Sequence, residues 1–161
     1  MQICYQSIGI IHSPYLKPKG TPIQPRAVSE VSGTVEVFDQ YAEGLQDLDG
    51  FSHIILVYHF HLAKFGGLKV KPFLDQELRG VFATRAPSRP NPIGLSVVKL
   101  LKIESNILFV QGLDILDGTP LLDIKPYLPE FDSPVVEKRG WLEEKLSNLS
   151  CARDDGRFVQ S

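Results

Sequence analysis

The sequence is poor in cysteine: Cys4 and Cys151 stand near opposite ends of its 161 residues, and neither belongs to a C-x-x-C pair. No disulfide framework or zinc knuckle is implied, and a reducing cytosol is the expected compartment. Long apolar runs are also missing. The longest, around Ile54 to Phe60, is interrupted by His59 and preceded by His53, far too short to cross a bilayer. The opening MQICYQSIGIIHSPY has no basic n-region and no extended apolar stretch, so no signal peptide is expected. Net positive charge is absent, the formal balance being -2 at pH 7. That excludes a uniformly basic nucleic-acid coat while leaving room for a local basic patch. Neither G-x-G-x-x-G nor G-x-x-x-x-G-K-[ST] occurs, so the two common nucleotide fingerprints are missing.

What is present is β-rich sequence between turn signals. Apolar residues make up 43% and charged ones 22%, which supports a globular core and argues against wholesale disorder. YQSIGIIHS reads as a strand closed by Pro14, and KPKGTPIQPR as a loop. GTVEVF alternates with period two, setting Val35 and Val37 opposite Thr34 and Glu36. Residues 39–48 suit a short helix with Asp39 as its N-cap. FSHIILVYHFH, LKVKPF, GVFATR, GLSVVKLLKIES, ILFVQGLDIL and TPLLDIKPY follow as strands, with Ser105-Asn106 as a tight hairpin turn. RGWLEEKLSNL places Trp141, Leu142, Leu146 and Leu149 on one helical face. The last dozen residues are polar and read as a frayed tail. Seven or eight short strands with one late helix predict a mainly β fold, a single-sheeted antiparallel or mixed barrel.

The stretch FATRAPSRPNPIGLSVV carries the most chemistry. Pro87, Pro90 and Pro92 fall within six residues, among Arg85 and Arg89. Proline fixes its own φ and pushes the preceding residue toward extended geometry, so Ala86, Arg89 and Asn91 are all restrained. The result is a stiff arch that holds side chains in fixed directions at little entropic cost on binding. Its arginines offer forked donors to carboxylate or phosphate. The plain alternative is a proline-stiffened surface turn with solvated arginines. A second dense stretch, residues 112–132, carries Asp114, Asp117 and Asp123, with Asp123, Lys125 and Tyr127 on one strand face. Its carboxylates suit a ribose or an ammonium, or simply cap turns. His53, His59 and His61 lie on one side of a strand, yet no further ligand cluster accompanies them, and no metal is expected.

Taken together, IGIIHSPY, TPIQ, LDGFSHIILVYHFH, GVFATRAPSRPNPIGLSVV and LDILDGTPLLDIKPYLPEFD resemble the TrmO-type (TsaA-like) tRNA methyltransferases over residues 5–135. The resemblance implies a β-barrel domain at residues 1–135, a C-terminal helix and tail at 136–161, and a cytoplasmic homodimer. It implies binding of S-adenosyl-L-methionine and methylation of N6 of N6-threonylcarbamoyladenosine at position 37 of threonine-type tRNA. By motif, the cofactor contacts fall on Pro22, Ile23 and Gln24, on His61 and Leu62, on Arg85 and Leu95, and on Asp114, Ile115, Leu116 and Asp117. The sequence has PIQ where many members have PRQ, and ARDDGRF at 152–158 is only a faint echo of a D-P-R-x-x-Y motif found in longer members.

The expected chemistry is in-line displacement at a sulfonium carbon. Asp117 or a nearby carboxylate supports the adenosyl or amino end of the cofactor, and Arg89 and Lys125 grip the substrate's carboxylate or an adjacent phosphate. Asn91 orients the modified base, and Tyr127 or His61 is a base candidate by type. Lys69, Lys71, Arg79, Arg85 and Arg89 supply a patch for anticodon-loop phosphates. A non-enzymatic S-adenosylmethionine sensor and a methyltransferase for another acceptor are the alternatives.

Overall fold

Alternation along the chain becomes the wall of a barrel. The computed structural model describes residues 1–21, 30–143, 145 and 153–158. The strands are β1 (Gly9–His12), β2 (Ser32–Val37), β3 (His53–His59), β4 (Lys69–Val70), β5 (Arg79–Gly80), β6 (Ile93–Glu104), β7 (Ile107–Gln111) and β8 (Thr119–Pro126). Six of them close in the order β1-β2-β7-β6-β3-β8, every pair antiparallel. β4 and β5 form a separate two-stranded sheet.

Inward positions follow the period of two. Val35 and Val37 on β2, Ile54, Leu56 and Tyr58 on β3, Val98 and Leu100 on β6, and Leu108 and Val110 on β7 make one core with Ile11, Leu113, Ile115 and Leu121. A barrel of this size is filled by its own side chains. Burying each aliphatic side chain contributes roughly 1.5–3 kcal/mol. The hairpin between β6 and β7 turns at Ser105, whose φ is 54°. Asn106 Nδ2 donates to Val37 O at 2.8 Å, tying that turn to β2.

Several local expectations differ in form. Residues Asp39–Leu45 make a 3-10 helix capped by Phe38 with no side-chain hydrogen bond, so Asp39 is its first residue rather than its N-cap. LKVKPF and GVFATR shrink to two-residue strands, and Val81–Ala83 is a 3-10 turn. Of the helix expected at 139–149, Gly140–Leu142 is a 3-10 turn, and residues 144 and 146–149 lie outside the described residues. A four-residue α-helix, Pro129–Asp132, follows β8.

The tail departs most from expectation. Among its described residues, Phe158 is buried in a satellite core with Val70, Val81, Ala86 and Phe73 rather than frayed. Arg157 donates to Lys71 O at 3.2 Å and Pro72 O at 3.0 Å, and its guanidinium lies 5.1 Å from the Phe73 ring centroid. One aromatic residue in a polar tail supplies the anchor.

Candidate functional site

The site is the mouth of the barrel, where β3 ends and β6 and β8 begin. A cavity of about 940 Å³ opens there, within the range of small-molecule pockets. His61, Leu62, Arg85, Leu95, Asp114, Ile115 and Leu116, drawn from three distant stretches of sequence, all line it. Arg89 lines it too. Pro22, Ile23 and Gln24 lie outside the described residues, although Thr21 and Pro18 just before them reach the cavity wall.

The arch is fixed from both sides. Ser88 is buried; its Oγ donates to Lys64 O at 2.6 Å and accepts from Gly66 N–H at 2.9 Å. Phe60 N–H donates to Pro92 O at 2.8 Å, clamping the end of the arch to the strand exit. Arg89 reaches back to Thr84 O at 3.5 Å. Proline removes competing N–H groups, and the buried serine supplies the anchor the backbone lacks. The arch is therefore a cavity wall and not a free surface turn.

Beneath the wall runs a chain of three polar groups. Ser96 Oγ donates to Asp114 Oδ1 at 2.7 Å, and Tyr58 Oη lies 3.1 Å from Ser96 Oγ. Since the serine proton points at the carboxylate, the phenol donates to the serine. Burial, then the nearby Asp114 carboxylate, pushes the Tyr58 phenol well above its usual range, so it stays protonated. Burial raises the Asp114 carboxyl from 3.8 to about 6, against the opposing pull of its Ser96 hydrogen bond and the Arg85 charge. The His61 imidazole is lowered from its ordinary value, first by burial and then by His59; its Nδ1 lies 3.4 Å from Thr119 Oγ1. Gly94 touches this chain directly: a Cβ there would meet the Tyr58 ring at 2.2 Å.

Other candidates lie elsewhere. Asp117 does not line the cavity; its Oδ1 accepts from Ser13 N–H at 3.1 Å and faces His12 Nδ1 at 3.5 Å, which orders the turn before β8. Asn91 is exposed on the arch, with its carbonyl accepting from Ile93 N–H at 2.8 Å. Lys125 pairs with Asp123 at 2.7 Å, and Tyr127 packs edge-on to His53 with centroids 6.5 Å apart. Both sit at the far end of β8 from Thr119, the end that meets the cavity. Arg79 is engaged by Asp75 at 2.7 Å and Glu77 at 2.8 Å, while Lys69 and Lys71 are exposed. Lys145 and Arg79 together hold the Asp75 carboxyl well below the usual carboxylate range. No group of three or more histidine, cysteine, aspartate or glutamate side chains is arranged to hold a metal among the described residues.

Residues the sequence did not flag complete the cavity: Phe82, Ala83, Thr119, Trp141, Asp154 and Phe158. Trp141 Nε1 donates to Ala83 O at 2.8 Å. Ser96 carried a usable signal, being a hydroxyl at an inward position between Gly94 and Val98. Asp154 and Phe158 carried only the faint motif echo of ARDDGRF.

Comparisons with known proteins bear on the family and the fold. The model of the tRNA-methyltransferase O N-terminal domain matches residues 10–133. A Pyrococcus abyssi protein named "Probable S-adenosyl-L-methionine-binding protein" is 60% identical, over 98% of this chain and 86% of its own length. The Escherichia coli K12 tRNA (adenine(37)-N6)-methyltransferase is 40% identical over 80% of this chain, and the match spans 59% of that enzyme. The crystal structure of TrmO from Pseudomonas aeruginosa superposes with a TM-score of 0.73 at 38% identity, covering 88% of this chain and 63% of that one. The chain thus spans under two thirds of the methyltransferases it matches.

Proposed function

The chain belongs to the family defined by the tRNA-methyltransferase O N-terminal domain, and from that premise we propose that it is an S-adenosyl-L-methionine-dependent tRNA methyltransferase acting on N6 of the adenosine at position 37. The observation that carries this reading is the convergence of His61, Leu62, Arg85, Leu95, Asp114, Ile115 and Leu116 on one cavity. The residues present fit the cofactor's chemistry. Leu62, Phe60, Leu95 and Ile115 give apolar walls for an adenine ring, Asp114 gives negative charge toward a cation, and Arg85 gives a forked donor for a carboxylate.

When bound, the cofactor supplies an electrophilic methyl carbon. The acceptor, a ureido nitrogen if the base is N6-threonylcarbamoyladenosine, is a weak nucleophile until its proton leaves. His61 is the imidazole lining the cavity, its basicity lowered by partial burial and by His59, and the unprotonated ring is the form a general base needs. Arg89, at the same wall, grips the threonyl carboxylate or an adjacent phosphate, and the exposed Lys69 and Lys71 are offered to RNA phosphates. Lys125, Asn91 and Tyr127 act, in this reading, on parts of the tRNA away from the reacting atoms, and Asp117 orders the loop that carries Asp114.

Residues 1–135 form the cofactor-binding barrel in this proposal and 136–161 a segment that serves it. The active form is a homodimer. Support comes from exposed apolar side chains at the cavity mouth, Phe82 at 78% and Leu95 at 54% exposure, which a second copy would cover. Sedimentation at micromolar concentration should give twice the chain mass; a monomer removes the dimer. No helix among the described residues is long and apolar enough to cross a membrane, and the cytosol is the proposed location.

Mass spectrometry of tRNA nucleosides from a deletion strain should lack one methylated hypermodified adenosine, restored by the intact gene. An unchanged profile ends the reading. Cofactor binding without transfer of labelled methyl to that tRNA would favour a regulatory binder. Arg85→Ala should weaken S-adenosylmethionine binding about tenfold, whereas Arg89→Ala should leave it unchanged and raise the KM for tRNA about tenfold. Calorimetry and steady-state kinetics separate the two.

A further inference from the structure

The tail closes the same cavity from outside the barrel. Gly20 N–H donates to Asp154 O at 2.7 Å, and Asp154 N–H donates to Thr21 O at 2.8 Å. These bonds clamp the tail to the segment just before Pro22. Lys64 N–H donates to Phe158 O at 3.4 Å, Phe158 is nearly buried, and Arg157 holds Lys71 O and Pro72 O. Arg153–Phe158 is therefore held at both ends by loops that frame the site.

Asp154 sits between those anchors and lines the cavity. One carboxylate oxygen, Oδ1, accepts from Gly156 N–H at 2.6 Å, which fixes the rotamer. Burial, with the neighbouring Asp155 charge, raises this carboxyl above its ordinary value, while the Gly156 N–H bond and the Arg157 charge pull the other way. The acidic and guanidinium groups lining the cavity are Asp114, Asp154, Arg85 and Arg89. A ligand carrying a sulfonium, an α-ammonium and an α-carboxylate has two positive centres and one negative one. The barrel floor supplies one carboxylate for the positive centres, and the tail supplies the second.

We propose that Asp154 is a cofactor-binding residue that receives the α-ammonium of the methionyl arm, making the Arg153–Phe158 tail part of the S-adenosylmethionine site. The assignment rests on the cofactor reading above. It gives the tail a function independent of tRNA: the segment completes the amino-acid end of the pocket, while the adenine end belongs to the barrel. Phe158 and Arg157 are positioning residues that hold Asp154 at the wall.

The test compares three ligands by calorimetry on the full chain and on Asp154→Asn. S-adenosylmethionine and S-adenosylhomocysteine both carry the α-ammonium; 5′-methylthioadenosine has the adenosine and no amino-acid arm. Asp154→Asn should weaken the first two by about tenfold, the range for one charge-assisted hydrogen bond, and leave the third unchanged. Asn keeps an oxygen for Gly156 N–H, and an unaltered Tm checks that the tail stays docked. Arg157→Ala, which loosens the tail without touching the cavity, should reproduce part of the same ligand pattern. Unchanged affinity for S-adenosylmethionine, or equal weakening of all three ligands, overturns the assignment while leaving the cofactor reading standing. A wild-type chain that binds none of the three overturns the cofactor reading and this assignment with it.

Discussion

Replacing Gly94 by alanine is expected to lower stability by about 3 kcal/mol and cofactor affinity by roughly a hundredfold, the upper end for an overpacked site. A Cβ at this position would meet Tyr58 ring atoms at 2.2, 2.4 and 2.8 Å. The ring has nowhere to retreat. Its hydroxyl is held by Ser96, its edge packs on Phe60 with centroids 5.3 Å apart, and it is only 5% exposed. The bulge where β3 pairs with β8, between Val57 and Tyr58, also fixes where the ring starts. Moving Tyr58 breaks its bond to Ser96, and the serine then no longer holds Asp114 in place. Stability and binding therefore fall together. Thermal denaturation and calorimetry on the single variant measure both. A double variant isolates the cause: in a Tyr58→Leu background, the added methyl should cost under about 1 kcal/mol, because the clash is gone. If Gly94→Ala costs the same in both backgrounds, contact with the ring is not why glycine stands there.

Gly94 also illustrates what the sequence made legible. A glycine at the end of a stiff arch permits close approach of a neighbour, and the neighbour it admits is Tyr58 on the adjacent strand. The alternation of Val35 and Val37, the length of the strand around Ile54, and the turn at Ser105 all translated into barrel wall, because each is a local pattern with a local cause. The proline arch was legible for the same reason: three fixed φ angles restrict the chain whatever surrounds it. Its anchor was not, since Ser88 is secured by Lys64 and Gly66, more than twenty residues away. The segment at 39–45 has helix-compatible residues and folds as a 3-10 helix, and propensity does not choose between the two. The tail's docking escaped the sequence, where ARDDGRF gave only a faint motif echo. A lone Phe158 in polar sequence has no period to betray it, and its partners Val70, Val81 and Phe73 come from a satellite core assembled by loops. Of the site residues carried by motif, His61, Leu62, Arg85, Leu95 and Asp114 to Leu116 converged on one cavity, whereas Asp117 turned to Ser13 and His12 instead. Those placed by residue type alone, such as Lys125 and Tyr127, fell at the other end of β8.

Asp114→Asn is expected to make the unliganded protein more stable at neutral pH and a poorer binder. The carboxyl titrates at about 6 in the folded chain against 3.8 as its ordinary value. Between those values the folded state holds the extra proton, so unfolding releases it and stability declines as pH rises from about 4 through 6. Above that range the ionised, desolvated carboxylate carries its full penalty, of order 2–3 kcal/mol for such a displacement. Asparagine keeps the acceptor oxygen for Ser96 and removes the charge. The variant's Tm at pH 7.5 should exceed that of the wild type by about 5 °C, and the difference should close toward pH 4. Binding runs the other way. The cationic cofactor needs the ionised form, so wild-type affinity should fall about tenfold per pH unit below 6, whereas the variant should bind at least thirtyfold more weakly at pH 7.5 and show no such limb. Thermal scans and calorimetry from pH 4 to 8 read both halves. A destabilised variant at pH 7.5, or wild-type affinity that stays level from pH 8 to 5, would show that Asp114 is not a charge held at a cost to the fold so that the cavity can receive a cation.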